Sequence, residues 1–158
     1  MRSVWEYIDK NGNVLLSVKY YNFVSGFSDG LALVSNYDLS GKTYQKYGFI
    51  NKSGELVIPL IYEYAESFEN GLSVVGINKK YGIIDNTGKE VIPLIYDSLD
   101  IIKDKNLIIA TKDGKSGILN EKGEIVLPFE YDNIVRWVRD NLISVSKDGL
   151  WGILEIKR

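Results

Sequence analysis

The chain has 158 residues, and its 45% hydrophobic and 25% charged content is typical of one globular domain. Its 19 basic and 21 acidic residues nearly balance, so it lacks the basic excess that non-specific nucleic-acid binding requires. It contains neither Cys nor His, which excludes disulfides, thiolate zinc sites, cysteine nucleophiles and the commonest general base.

The sequence also predicts that the protein has no membrane partner and no cofactor. It has no run of about 18 apolar residues, so we expect no transmembrane helix. The first ten residues, MRSVWEYIDK, lead into a predicted strand without the charged and apolar regions of a signal peptide. We therefore expect a cytoplasmic protein that binds no nucleic acid, no membrane and no cofactor.

An aromatic residue followed by glycine recurs along the chain and reveals an internal repeat. The pair begins at positions 5, 47, 81, 116 and 151, at steps of 42, 34, 35 and 35 residues, with Glu6 replacing one glycine and Ser116 one aromatic residue. Such a period is typical of tandem-repeat proteins. The predicted repeats are residues 5–46, 47–80, 81–115 and 116–150, followed by a closing strand at residues 151–158.

The second repeat illustrates the predicted elements in chain order. A first strand, YGFIN, leads to a turn that ends at Gly54 and then to a second strand that closes at Pro59. Glycine provides the positive φ that a tight hairpin turn requires, whereas proline marks the end or edge of a strand. Tyr62 and Glu63 precede a variable connection, and Gly71 precedes the third strand, LSVVGIN.

Equivalent positions in the other repeats give the same predictions. We expect positive φ at the turn glycines Gly12, Gly54, Gly88 and Gly123. We expect the left-handed region before the third strands, at Gly30, Gly71, Asn106 and Asn141, because Gly and Asn tolerate it best. The connections after the tyrosine, such as EYAESFEN, are predicted to form a loop or a single helical turn.

The links between strands are too short for parallel crossovers, so the strands are predicted to be antiparallel. We predict one all-β domain over residues 1–158, a tandem array of about four three-stranded antiparallel units. The array is expected to be an open twisted or superhelical stack, and the alternative is a closed propeller-like or barrel-like ring.

The glycines of the recurring pair are predicted to pack closely against another strand. We expect Gly48, Gly82, Gly117 and Gly152 to be buried, with an aromatic or aliphatic side chain of another strand in contact. Ser116 interrupts the aromatic column and predicts a thinner contact in the fourth repeat. The alternative role for these pairs is an aromatic shelf that binds a ligand.

The repeated unit resembles the WG repeat family, which is widespread in bacteria and whose unit reads roughly W-G-[YF]-I-[DN]-x-x-G-x-x-[VI]-[IV]-P-x-x-Y-[DE]. Residues 47–63 and 81–97 fit this pattern closely, and residues 116–132 fit it except at Ser116. The first repeat fits it only at Trp5, Tyr7, Ile8, Asp9, Gly12 and Tyr20. The resemblance implies a β-repeat scaffold without a general activity or shared catalytic residues.

Acidic residues follow the tyrosine in three repeats, at Glu63, Asp97 and Asp132. Two such carboxylates could serve a hydrolase. We favour a structural role, in which each accepts backbone N–H bonds at a strand end, because an active site does not need one acid in every repeat. No enzymatic activity is therefore predicted.

Departures from the repeat supply the predicted partner-binding residues. The first repeat is seven or eight residues longer than the others, and its extra segment, residues 35–46, contains Tyr37 and Tyr44. The segment NIVRWVRD places Trp137 near Arg136 and Arg139. Trp, Tyr and Arg are enriched at protein-binding hot spots.

These features favour a non-catalytic interaction module that binds another protein. Tandem β-repeat arrays offer extended surfaces for such binding. The alternative is a module that binds carbohydrate or a surface polymer through exposed Tyr and Trp rings. The sequence makes no prediction about the oligomeric state.

Overall fold

The computed structural model describes residues 4–37, 45–102, 105–139 and 142–156, and the side chains of residues 136–139 fall outside this description. Within these ranges the chain forms strands and turns without a helix, which confirms the all-β prediction. The strands are β1 (Val4–Ile8), β2 (Val14–Lys19), β3 (Phe23–Ser28), β4 (Leu31–Tyr37), β5 (Gln45–Asn51), β6 (Leu56–Tyr62), β7 (Tyr64–Ala65), β8 (Leu72–Ile77), β9 (Lys80–Asp85), β10 (Glu90–Tyr96), β11 (Ser98–Ile102), β12 (Leu107–Lys112), β13 (Lys115–Asn120), β14 (Ile125–Tyr131), β15 (Asn133–Arg139), β16 (Leu142–Lys147) and β17 (Leu150–Glu155).

The chain divides into two compact units, Met1–Glu90 and Val91–Arg158. In the first, β1 and β2 form a hairpin, β3 to β6 form a four-stranded sheet in chain order, and β8 lies between β7 and β9. In the second, β11 to β14 form a four-stranded sheet and β15 to β17 a three-stranded one, each in chain order. The prediction of one repeat domain over residues 1–158, open or closed, stays a prediction.

Each four-stranded sheet combines strands from two consecutive repeats. The strands β3 and β4 belong to the first repeat, whereas β5 and β6 lie almost wholly in the second. The prediction of three strands is corrected to four, because the connection after the tyrosine forms a strand rather than a loop or helical turn. In β11 this strand, SLDII, leaves Ser98 and Asp100 exposed and Leu99 and Ile101 partly buried, in the alternation that is typical of a strand.

The turns between first and second strands adopt the predicted conformation. Positive φ is confirmed at all four turn glycines, with values of 86°, 84°, 84° and 80° for Gly12, Gly54, Gly88 and Gly123. The left-handed residues before the third strands are confirmed at Gly30, Gly71 and Asn106, whereas Asn141 lies outside the described residues.

A polar side chain closes each of these turns. In the β5–β6 turn, Asn51 Oδ1 accepts hydrogen bonds from the backbone N–H groups of Ser53 and Glu55, both at 3.0 Å. The same arrangement recurs in the other three hairpins. The equivalent side chains are Asp9, Asp85 and Asn120.

Apolar side chains form a core in each compact unit. In the first, Val18 of β2 packs with Ala32, Val34 and Ile50 of the neighbouring sheet. In the second, one cluster joins β11, β12 and β13 to β16, through residues that are at most 9% exposed. Its buried members are Ile102, Ile109, Ile118, Ile143 and Val145.

The turn glycines also bring successive hairpins into contact. A Cβ placed on Gly54 would lie 3.2 Å from the Leu16 side chain of the preceding second strand. The corresponding distance from Gly123 to Ile92 is 3.4 Å. Glycine therefore serves both the turn conformation and the close packing at these positions.

The second strands cover the glycines of the first strands through a bulge. In the β5–β6 hairpin, Tyr47 pairs with Tyr62 and Phe49 pairs with Ile58. Between these two pairs β5 has only Gly48, whereas β6 has residues 59–61, so β6 forms a bulge opposite Gly48. A Cβ on Gly48 would lie only 2.5 Å from the carbonyl oxygen of Ile58. Close approach of this backbone therefore requires glycine.

The β13–β14 hairpin bulges in the same way opposite Gly117. A Cβ there would lie 2.8 Å from the carbonyl oxygen of Leu127 and 2.9 Å from the Phe129 ring. Burial is thus confirmed for Gly48 and Gly117, and Gly82 is buried as well. The covering group at Gly48 is backbone rather than the expected side chain.

The first hairpin lacks this bulge at the equivalent point. Glu6 stands in place of the glycine and lies directly opposite Ser17, which stands in place of the proline. The register is regular from Val4 to Tyr7. The bulge therefore occurs in the β5–β6 and β13–β14 hairpins, which carry both the glycine and the proline. It is absent between Glu6 and Ser17 of the β1–β2 hairpin, where both residues are replaced.

The prediction of burial is wrong for Gly152, which is exposed. A Cβ on Gly152 would meet no heavy atom within 4 Å among the described residues. β17 is the last strand of its sheet, and the described part of the chain contains no second strand beyond it. Burial of a glycine in the recurring aromatic-glycine pair therefore depends on whether a second strand covers it. The short sequence motif alone does not reveal whether that strand is present.

Candidate interaction surface

The structure locates the predicted partner-binding residues only in part. Tyr37 ends β4 and is exposed, as predicted for a surface residue. Tyr44 lies outside the described residues. Arg136, Trp137 and Arg139 belong to β15, but their side chains lie outside the description. Their role in binding stays a prediction.

Tyr37 has exposed aromatic neighbours that the sequence analysis did not group with it. Its backbone N–H donates to Asn22 Oδ1 at 3.2 Å, which fixes the end of β4 beside the start of β3. Phe23, the first residue of β3, and Tyr20, two residues before Asn22, are also exposed. An aromatic patch, defined as Tyr20, Phe23 and Tyr37, therefore marks this end of the β3–β4 hairpin.

The recurring acids stabilise turns. Glu63 Oε2 accepts the backbone N–H of Asn78 at 2.8 Å and Oε1 accepts from Lys46 Nζ at 3.1 Å. The N–H bond and then the lysine hold the pKa of Glu63 below its usual value. Asp97 contacts the N–H of Gly114 at 3.4 Å in the same way.

Asp132 follows the pattern of Glu63. Its carboxylate pairs with Lys115 at 2.5 Å, and this bond is the main reason that the pKa of Asp132 is lowered. A general acid needs a raised pKa, so Glu63 and Asp132 are tuned in the opposite direction. Among the described residues, no group of three Asp or Glu side chains is placed to hold a metal ion.

Tyr64 and Tyr81 show that aromatic residues of the repeats act in packing and hydrogen bonding. They pack edge to face with ring centroids 5.5 Å apart. The Tyr64 hydroxyl donates to Glu66 Oε1 at 2.5 Å, and this bond raises the pKa of Tyr64 to about 12. The phenol therefore stays protonated at neutral pH and acts in packing and hydrogen bonding.

The main feature that the sequence analysis missed is a set of exposed aliphatic side chains on the second strands. In β6, the run Leu56-Val57-Ile58 buries only Ile58 and leaves the other two exposed. In β14, Ile125 and Val126 are exposed at the equivalent positions. The missed signal was the apolar run itself, since a strand at the edge of a sheet buries only part of such a run.

We call these residues the outer-strand surface. Its members are large aliphatic side chains of second strands that remain exposed in the described part of the chain. They are Val14, Leu15, Leu56, Val57, Ile61, Ile95, Ile125 and Val126. The surface is described for each compact unit separately.

The architecture is that of a tandem β-repeat protein with repeated hairpins, and its sequence places it in a known family. The model of the WG containing repeat matches residues 7–39, 47–81, 81–115 and 117–151. The chain therefore belongs to the WG-containing repeat family, which confirms the resemblance drawn from the motifs. No curated protein matches the chain in a sequence comparison. The described residues include no helix with the length and apolar character to cross a membrane.

Proposed function

We propose that this WG-repeat protein is a non-catalytic interaction module that binds another protein. The observation that carries the proposal is the outer-strand surface, in which the first, second and fourth hairpins expose aliphatic side chains at equivalent positions, two residues and three residues after the turn glycine. Exposed apolar patches rimmed by polar residues are typical of protein-binding sites. The acidic Glu55 and Glu124, which precede the exposed apolar residues of β6 and β14, supply such a rim.

The chemistry of this surface favours a protein over a sugar. Carbohydrate sites rely on exposed aromatic rings, whereas the outer-strand surface is aliphatic. The recurring acids support the non-catalytic part of the proposal, because Glu63 and Asp132 are engaged with backbone N–H groups or lysines. The departures Tyr37, Tyr44, Arg136, Trp137 and Arg139 would then add specificity to binding that the repeated positions provide.

The test is a double variant of the outer-strand surface, Val57→Lys with Ile125→Lys. A partner captured from the source organism on the immobilised wild-type chain is identified, purified and titrated by calorimetry. We expect the double variant to bind the partner at least about tenfold more weakly than wild type does. Each of the two substitutions should change the unfolding free energy by no more than about 0.5 kcal/mol. The matched control is Lys52→Glu with Lys122→Glu, which changes exposed turn residues beside the same strands.

Equal affinity of the double variant and the wild type, with equal melting curves, would refute the outer-strand surface as the binding site. If no protein is captured and purified polysaccharides bind instead, the proposal of a protein partner is wrong.

The aromatic patch supports one second candidate, binding of a carbohydrate or surface polymer. Three exposed rings at one end of a hairpin are suited to stacking against sugar rings. The test is titration with an oligosaccharide panel, monitored by NMR. Under this candidate, Tyr37→Ala abolishes sugar binding, whereas Val57→Lys leaves it unchanged.

A further inference from the structure

The connection between β2 and β3 exposes a tyrosine that the second and third repeats keep in the core. Tyr20 lies eight residues after the turn glycine Gly12, as Tyr62 lies eight residues after Gly54. Tyr62 is only 5% exposed, and Tyr96, at the same place in the third repeat, is 7% exposed. Tyr20 is 63% exposed. The first repeat therefore presents on its surface a ring that these two repeats bury.

The strand register explains this difference. In the β5–β6 hairpin the bulge brings Tyr62 opposite Tyr47. In the regular β1–β2 ladder, Val18 lies opposite Trp5 and is buried in place of the tyrosine. Tyr20 therefore lies beyond the end of β2, in the connection to β3.

Tyr20 has an unusual backbone conformation. Its φ of 77° lies in the left-handed region, which bulky residues rarely adopt. The next residue, Tyr21, packs against the core, and its carbonyl oxygen accepts a hydrogen bond from Trp5 Nε1 at 3.1 Å. Strained conformations of this kind cluster at ligand-binding sites. The exposed ring of Tyr20 is therefore a candidate for ligand recognition.

Phe23 and Tyr37 supply the other two rings of the aromatic patch. Phe23 pairs with Ser35, and Tyr37 lies two residues further along β4 on the same face of the sheet. Such diagonal neighbours have Cα atoms roughly 7–8 Å apart. The two rings are 40% and 55% exposed. Rings at this spacing can hold a flat apolar group between them.

The polar groups beside these rings are hydrogen-bond donors. Asn36 Oδ1 accepts the backbone N–H of Asn22 at 3.0 Å, and Asn22 Oδ1 accepts that of Tyr37 at 3.2 Å. Both amide oxygens thus already serve the backbone, and each side chain retains an NH2 group that can donate. Residues 19–23 and 35–37, at this end of the hairpin, include no Asp or Glu.

A site of this chemistry fits a ligand with apolar rings and carbonyl acceptors but few donors. Sugar hydroxyls donate as well as accept, so a sugar would need acceptors that an acid usually supplies. Proline has no N–H, and the polyproline II helix leaves its carbonyl groups without internal hydrogen bonds. Aromatic-lined sites bind such proline-rich segments in other proteins.

We propose that the aromatic patch, together with the side-chain amides of Asn22 and Asn36, binds a proline-rich segment of a partner protein. The proline rings pack against the aromatic rings, and the carbonyl groups of the segment accept from the amides. This proposal rests on the proposed protein-binding function, but it concerns a surface separate from the outer-strand surface.

Glu6 and Ser17 have an indirect role in this site. They replace the glycine and the proline of the bulged hairpins, and the regular register that results leaves Tyr20 outside the core. They therefore position a recognition residue and are not expected to contact the ligand.

The test is an NMR titration of the 158-residue chain with a synthetic peptide of about ten prolines. We expect the backbone amide signals of residues 19–23 and 35–37 to shift most. The comparison ligands are a glycine-serine peptide of equal length and an oligosaccharide panel, and neither should bind at these residues.

Single variants identify the rings that bind. Tyr20→Ala and Tyr37→Ala should each weaken binding of the proline peptide at least about tenfold. Their melting temperatures should stay close to that of wild type, because both side chains are more exposed than buried. The matched control is Leu15→Ala, since Leu15 is exposed in the same repeat and lies outside the patch.

A double variant tests the role of the register. Glu6→Gly with Ser17→Pro should give the first hairpin the bulge of β5–β6 and bring Tyr20 opposite Trp5, which NMR contacts between the two rings report. Binding of the proline peptide should then fall about as far as in Tyr20→Ala. If this variant fails to fold, Tyr20→Ala alone decides whether the ring takes part.

Four results would each overturn the proposal. They are equal binding of the proline and glycine-serine peptides, unchanged peptide binding in Tyr20→Ala or Tyr37→Ala, full binding by a double variant that has buried Tyr20, and a patch that binds oligosaccharides but not the peptide. Capture of a partner that only Val57→Lys with Ile125→Lys weakens, without peptide binding, would refute this inference and leave the outer-strand surface in place. Peptide binding with an outer-strand variant that behaves as wild type would refute only the outer-strand surface.

Discussion

The hairpins β1–β2 and β5–β6 occupy equivalent places in the first and second repeats, yet they pair their strands differently. In β1–β2, Glu6 faces Ser17 and the ladder is regular at this point. In β5–β6, Pro59 lies in a bulge that carries backbone carbonyls over Gly48. The glycine position of the first strand and the proline position of the second strand therefore act together.

The physical reason lies in the backbone groups. Proline has no N–H to donate, so a strand accommodates it where the ladder is interrupted. The bulge that interrupts the ladder brings the opposite strand too close for any Cβ, and only glycine leaves enough space. Replacing the glycine alone should therefore be harmful, whereas a hairpin built without the glycine and the proline pairs normally.

The largest expected effect is that of Gly48→Val. The new side chain would overlap the carbonyl groups of Ile58 and Pro59, which belong to backbone and move only with the strand. We expect a loss of about 3 kcal/mol of unfolding free energy, measured by urea denaturation. The control is Gly152→Val, for which we expect a change within about 0.5 kcal/mol. Equal stability of the two variants would show that the bulge does not require glycine.

The turn glycines should rank next and should differ between the two hairpins. Gly54→Val combines the strain of φ +84° with contact to Leu16, and we expect a loss of about 2 kcal/mol. Gly12→Val carries similar strain at φ +86° without a neighbour within 4 Å among the described residues, so about 1 kcal/mol is expected. Urea denaturation measures both, and a larger loss for Gly12→Val would contradict the packing of Gly54 on Leu16.

Pro59→Ser gives β6 the residue found in β2 and should have a smaller effect. We expect a loss of about 0.5–1 kcal/mol, because the unfolded chain regains the freedom that proline removes. The bulge should persist, since Gly48 still accepts it, and NMR contacts across β5 and β6 report the register. A regular ladder in this variant would show that proline alone sets the bulge.

The smallest effect concerns the charge in the turns. Asp9 Oδ1 accepts the N–H groups of Asn11 and Asn13 at 2.7 and 2.9 Å, as the neutral Asn51 does in the second hairpin. The side chain and then the backbone of Asn13 hold the pKa of Asp9 below its usual value.

The sign of the pH effect follows from that shift. Because the folded pKa of Asp9 lies below the unfolded value near 3.9, its contribution to stability is complete above about pH 5 and is lost as pH falls through the folded pKa. Asp9→Asn should therefore remove a small part of the fall in melting temperature between pH 5 and about pH 2. An unchanged difference between these two pH values would contradict the prediction.

The sequence predicted what depends on neighbouring residues. The spacing of the strands, the positive φ of Gly54 and the left-handed Gly71 all follow from local backbone requirements, and the repeat motif identified the family. The strand β7 was missed because EYAESFEN is polar and short, and its two-residue strand depends on pairing with β8.

The sequence did not predict what depends on distant strands. Gly152 has the same local motif as Gly117, but its exposure is decided by the presence or absence of a covering strand. The outer-strand surface was missed for a similar reason, since burial of Leu56 or Val57 depends on tertiary packing. The joint replacement of Gly48 and Pro59 by Glu6 and Ser17 was visible in the sequence and could have revealed the bulge.

Each four-stranded sheet takes half of its strands from each of two repeats. The boundaries of the sequence repeats therefore do not coincide with the boundaries of the sheets. A chain truncated at a predicted repeat boundary, for example after residue 46, would lose most of β5 and all of β6 and leave the hydrogen-bonding edge of β4 open. A boundary placed after Tyr62 would instead keep the β3 to β6 sheet intact. Insertion or loss of about 35 residues anywhere along the array conserves the strand order, so such an array can change length by recombination without a defined cutting point.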